Sequence, residues 1–168
     1  MANLEWLWME PCSIKDISAL SGKTNMRVLA LRWGNIKDIS ALAEMVNLER
    51  LYLNSNSIKD ISSLHGLAKL QELDLGANRI KNIDALSELV NLELLLLGEN
   101  EIEKVDALGT LTKLKWLSIC HNRIKSIEPL RTLTALSGVN INGNPIKDLS
   151  PVEHDKIGYL HCYSEPWG

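Results

Sequence analysis

Leu48-Glu-Arg-Leu51-Tyr-Leu53-Asn-Ser-Asn56-Ser-Ile58-Lys-Asp-Ile61-Ser-Ser-Leu64-His-Gly-Leu67 is followed at once by the same skeleton in Leu70, Leu73, Leu75, Asn78, Ile80, Ile83, Leu86 and Leu89. The pattern recurs every 22 residues, with repeats starting at Leu4, Met26, Leu48, Leu70, Leu92, Leu114 and Leu136 and no insertion between them. A fixed period of this length marks a stacked-repeat architecture. Within each repeat Leu-x-Leu alternates at period two, so its apolar side chains share one face of a strand and the residues between them share the other. One repeat has too little apolar surface to bury its own face; stacked repeats make a continuous core. At roughly 4.8 Å between neighbouring strands, seven strands give a sheet about 30 Å wide.

This pattern resembles the leucine-rich-repeat family. The repeat length and the Asn-x-Ile-x-x-Ile-x-x-Leu-x-x-Leu ending are similar to its internalin-like 22-residue class, over nearly the whole chain. The resemblance implies an α/β leucine-rich-repeat solenoid, with a curved parallel β-sheet on the concave face and short helical turns, 3-10 or α, on the convex face. We expect one domain over residues 1–168, with a partial strand and cap at 157–168. The strand in Ile157–Cys162 is expected one residue ahead of the 22-residue register, with Tyr163–Gly168 folding over the last repeat.

Several framework positions carry specific expectations. Asn56, Asn78, Asn100, Asn122 and Asn144 form a ladder whose buried amides bond backbone groups leaving the sheet. Cys12 takes that position in the first repeat. Gly34 takes it in the second, with Asn35 one residue late, which predicts a rearranged turn. Ser18, Ser40, Ser62, Asp84, Asp106 and Ser150 read as N-caps of the outer turns. Lys15, Lys37, Lys59, Lys81, Lys125 and Lys147 read as a solvated edge, broken where Glu103 precedes Lys104.

The 168 residues are 45% hydrophobic and 23% charged, with a net charge of −3. This balance gives no electrostatic reason to expect nucleic acid as a partner. The longest apolar run, Leu94–Leu97, is far too short to cross a membrane. No secretory leader opens the chain, and three sparse cysteines (Cys12, Cys120, Cys162) suit a reducing compartment better than a disulfide framework. Taken as the full product, the chain is expected in the cytoplasm. Five Trp against no Phe is a bias that an engineered member of the family would also carry. No cofactor motif, recognised metal spacing or catalytic arrangement stands out. Cys120 and His121 are sequence neighbours and do not by themselves make a nucleophile–base pair. His154, His161 and Cys162 reach Cys120 only if the tail folds back.

Function is expected where the strand residues face away from the core, at the third, fifth, seventh and eighth positions of each repeat. These vary while the framework stays constant. They hold Trp6, Trp8, Arg32, Trp33, Arg50, Tyr52 and Trp116, the residue types that dominate protein interfaces. Exposed Leu94 and Leu96 call for a partner, and Glu72, Asp74, Glu93 and Glu99 form an acidic group that suits a basic one. Glu99 and His121 complete the candidate face. The expectation is a protein-binding module without enzymatic activity, cofactor or metal. The alternative is a self-assembling or structural solenoid, a homodimer paired through an uncapped first strand at the N-terminal edge, where Trp6 and Trp8 would shield the edge.

Overall fold

The computed structural model describes residues 3–11, 13–152 and the strand pair 158–159. Its eight strands are β1 (Trp6–Met9), β2 (Val28–Leu31), β3 (Arg50–Tyr52), β4 (Glu72–Asp74), β5 (Leu94–Leu96), β6 (Trp116–Ser118), β7 (Gly138–Asn140) and β8 (Gly158–Tyr159). They form one parallel sheet in sequence order. From β1 to β7 each strand pairs with its neighbour in the 22-residue register, so Trp6, Val28, Arg50, Glu72, Leu94, Trp116 and Gly138 lie in one row across the sheet. At β8 the register advances: Gly158 lies opposite Gly138, one residue further ahead than the sequence predicts. Cys12, the remainder of the expected 157–162 strand, the expected 163–168 cap, and His154, His161 and Cys162 lie outside the described residues.

The core is the repeat skeleton made solid. Leu70, Leu73, Leu75, Ile80, Ile83, Leu86 and Leu89 are all buried, as are their counterparts in the adjoining repeats. Each such side chain contributes about 1.5–3 kcal/mol by leaving water. The chain returns to the next strand through 3-10 turns at Ser18–Leu20, Ser40–Leu42, Ser62–Leu64, Asp84–Glu88, Asp106–Thr110, Glu128–Thr132 and Ser150–Val152. The asparagine ladder has the expected role. Asn100 donates from Nδ2 to the carbonyls of Leu75 (3.0 Å) and Leu97 (3.1 Å) and accepts from the Ile80 N–H at 2.9 Å.

Two local expectations are corrected. Ser18, Ser40, Ser62, Asp84 and Asp106 open their turns rather than cap them, and no N-cap side-chain bond comes from the preceding Ile or Val. The capping acceptor sits two residues before the turn: Asp16, Asp38, Asp60 and Asp148 accept from the N–H of Ser18, Ser40, Ser62 and Ser150 at 2.8–2.9 Å. Asn82 does the same for Asp84 at 2.7 Å. These backbone donors hold all four aspartates below the usual carboxylate range. The second turn is not rearranged either. Asn35 N–H bonds the Ile14 carbonyl at 3.1 Å, the bond that Ser57 makes to Ile36 at 2.9 Å. Its backbone follows the other repeats: Trp33 is left-handed (φ 52°), as are Ser55, Ala77, Glu99 and His121 at the same position.

Candidate functional site

The face of the sheet opposite the leucine core carries two groups of side chains. The first spans β1 to β4. Trp8 and Tyr52 both flank Ala30, a buried residue whose small side chain lets the rings close over it, with centroids 6.0 Å apart and planes tilted by 51°. The Arg32 guanidinium stacks on Tyr52 at 4.7 Å from the ring centre and pairs with Glu10 at 3.2 Å. The Tyr52 hydroxyl donates a short hydrogen bond to Glu72, which also pairs with Arg50 at 3.2 Å. Burial, followed by the Glu72 carboxylate, pushes the Tyr52 hydroxyl well above the ordinary phenol range. Charge, stacking and hydrogen bonding therefore fix this cluster before anything binds, which removes part of the entropic cost of association.

The tryptophans remain open around it. Trp6 is 64% exposed, Trp8 59%, Trp33 42% and Trp116 43%. Trp33 stands at the left-handed position that follows β2. The second group lies on β5 and β6, where Leu94 and Leu96 are half-buried rather than exposed, beside Trp116. Arg50, Glu99 and His121 are exposed.

The expected acidic group does not gather into one patch. Glu93 pairs with Lys115 at 2.7 Å, beside the strands rather than on this face, and Glu72 is engaged as above. Asp74 is the largest departure. It is only 5% exposed, and its Oδ1 accepts the Gly76 N–H at 3.0 Å. Burial raises its carboxyl to about 6. Asn54, which the sequence reading passed over as a site residue, is 7% exposed, and its Oδ1 has no hydrogen-bond partner among the described residues. Its signal was legible only as a polar residue one strand over from Gly76 at the same repeat position. Cys120 is buried as expected but is disulfide-bonded rather than a thiol. Among the described residues no group of three or more His, Cys, Asp or Glu is placed to hold a metal ion, and no helix is long and apolar enough to cross a membrane.

Residues 46–88 and 112–154 match the family model for tandem leucine-rich repeats, two copies at a time. This chain belongs to the leucine-rich-repeat family. Its solved relatives place it with the internalin-like class. Internalin C2 of Listeria monocytogenes is 32% identical with a TM-score of 0.88, over 95% of this chain and 72% of that one. The internalin inlF of the same organism is 27% identical with a TM-score of 0.81, over 88% of this chain and 51% of that one. This leucine-rich-repeat chain thus spans about half the length of inlF. The plant peptide hormone receptor RGFR1, solved in complex with RGF2, shares the fold at 22% identity and a TM-score of 0.81, covering 94% of this chain and 28% of the receptor. No curated protein matches the sequence.

Proposed function

We propose that this leucine-rich-repeat protein is a binding module that recognises a partner protein through the concave face of its sheet, without catalysis. Leucine-rich-repeat proteins commonly mediate protein–protein interaction, and the structural relatives include a receptor solved with its peptide hormone. The observation that carries the reading is three exposed tryptophans on one face of the sheet, Trp6, Trp8 and Trp116, with Trp33 exposed at the turn that follows β2. Exposed indoles on a rigid sheet offer large contact area at little conformational cost. The fixed Trp8–Tyr52–Arg32 cluster supplies the anchor, and Leu94, Leu96 and Trp116 supply a second apolar contact. A disulfide at Cys120 leaves no thiol there to act as a nucleophile.

The test is a triple replacement, Trp33→Ala, Tyr52→Ala and Trp116→Ala, compared with the parent by affinity capture and quantitative mass spectrometry. Each anchor is worth about 2 kcal/mol or more at an interface, so the partner is expected to drop out more than 100-fold while far-UV circular dichroism stays unchanged. Equal capture by both forms refutes the assignment of the face. A second reading, pairing of two copies through β1, rests on that strand having one neighbour in the sheet among the described residues. Light scattering that shows a strict monomer at high concentration removes it.

A further inference from the structure

We propose that Asp74, Asn54 and Gly76 form a cation-accepting recess on this face, in which the partner protein seats a lysine ammonium. The inference rests on the concave-face reading and names the chemistry that the face selects.

The first argument is charge accounting across the face. Arg32 is engaged by Glu10 and Arg50 by Glu72, so those four groups neutralise one another. Asp74 and Glu99 have no ion-pair partner among the described residues. The uncompensated charge is negative and sits in the fourth and fifth repeats. The cation that acts on Asp74 is Arg32, and its partner Glu10 opposes that effect; an incoming anion would meet both carboxylates, whereas an incoming cation meets the complement it needs.

The second argument is unmet hydrogen-bonding capacity. A carboxylate offers about four acceptor sites. Asp74, though buried, receives one hydrogen bond, from Gly76. Asn54 Oδ1, also buried, receives none among the described residues. A buried polar oxygen without a donor costs about 1–3 kcal/mol, a cost that a bound donor removes. Two such residues flank Gly76. Asn54 holds the corresponding position on the neighbouring repeat, and a Cβ built on Gly76 would lie 3.3 Å from Asp74 Oδ1. The missing side chain at Gly76 leaves space beside Asp74 Oδ1 and the Gly98 carbonyl, a third acceptor at 3.5 Å from that Cβ.

The third argument separates lysine from arginine. Arginine recognises a carboxylate best through both oxygens at once. Asp74 Oδ1 already accepts the Gly76 N–H, so Oδ2 is the oxygen with no donor among the described residues. A compact ammonium with three rotatable donors suits that single oxygen. Its aliphatic stem suits Leu96, which lies directly opposite Asp74 on β5. Exposed Glu99 steers the approach.

The probe is n-butylammonium chloride, with n-butanol and matched sodium chloride as controls, titrated into the full chain at pH 7.5 by NMR. Expected are saturable shifts centred on the Asp74 carboxyl carbon and the Asn54 side-chain amide, absent with either control. Asp74→Asn should weaken the apparent affinity at least about tenfold, as loss of a charged acceptor requires, and Glu99→Gln about twofold. Ethylguanidinium should bind more weakly than butylammonium. Shifts spread evenly over all carboxylates, or a response that survives Asp74→Asn, overturn the proposal. Partner capture that depends on Trp33, Tyr52 and Trp116 in a protein that ignores butylammonium sinks the recess and keeps the binding face. A saturable ammonium site in a protein whose capture ignores the triple replacement does the reverse.

Discussion

Asp74→Asn should make this protein more stable at pH 8 and leave it little changed at pH 4. In an unfolded chain an Asp carboxyl ionises near 3.8; in the fold, burial holds the Asp74 proton up to about 6. Between those values the folded form carries more protons than the unfolded form, so stability falls as pH rises through the window and stays at the lower level above it. Two pKa units correspond to about 3 kcal/mol. That is the net effect of burial, since the value of about 6 already includes the lowering by the Gly76 N–H and Arg32. A gain of about 1–3 kcal/mol is expected once the charge is removed. The geometry of the replacement already exists in the molecule: Asn140 holds the same repeat position, and its Oδ1 accepts the Asn142 N–H at 3.1 Å. An asparagine at 74 can therefore keep the Gly76 bond without the charge. Urea unfolding of both forms at pH 4, 6 and 8 measures the difference. A variant no more stable than the parent at pH 8, or a gain of equal size at all three values, refutes the reasoning.

Three further outcomes are expected. Asn100→Ala removes the amide that satisfies the Leu75 and Leu97 carbonyls and the Ile80 N–H; it should cost about 2–4 kcal/mol and lower the melting temperature by about 5–15 °C, read by calorimetry. Gly143→Ala places a methyl group onto the His121 imidazole and should cost about 1–3 kcal/mol; adding His121→Ala should recover part of that in a double-mutant cycle. Thiol titration in denaturant without reductant should find one free thiol among the three cysteines, since Cys120 is disulfide-bonded. Adding reductant before titration should raise the count to three.

The solenoid was legible because its determinants repeat: seven apolar copies of the Leu-x-x-Leu-x-Leu pattern, with Met, Ile or Val at some positions, set the strand face, and five asparagines set the turn. The capping residues were misread although their signal was present. Asp16, Asp38, Asp60, Asn82 and Asp148 recur two residues before the turns, and short polar side chains there bond the backbone two residues ahead. The predicted rearrangement at Gly34 gave too much weight to one missing amide. The left-handed residue at the eighth position and the strand-to-strand backbone bonds hold the turn without it. The advance at β8 depends on pairing to β7, which no pattern internal to residues 157–162 specifies.

The candidate face was harder to read because period two reports which side of a strand a residue faces, not how far its side chain stands out. Small neighbours decide the second question. Ala30 lets Trp8 and Tyr52 meet above it. Asp74 leans over Gly76, and a Cβ on Gly98 would lie 2.7 Å from Cys120 Sγ. Where a small residue leaves room, the adjacent side chain folds down into it and passes from exposed to buried. That is how an aspartate expected as a surface charge becomes an enclosed acceptor. A buried carboxylate that lowers stability, where an asparagine such as the one the solenoid already holds at position 140 would relieve it, is a pattern expected of a site kept for binding rather than for folding. On the proposed binding face, recognition would be set as much by Ala30, Gly76 and Gly98 as by the tryptophans. Filling Gly76 with a side chain should abolish the ammonium response while leaving Trp33, Tyr52 and Trp116 in place.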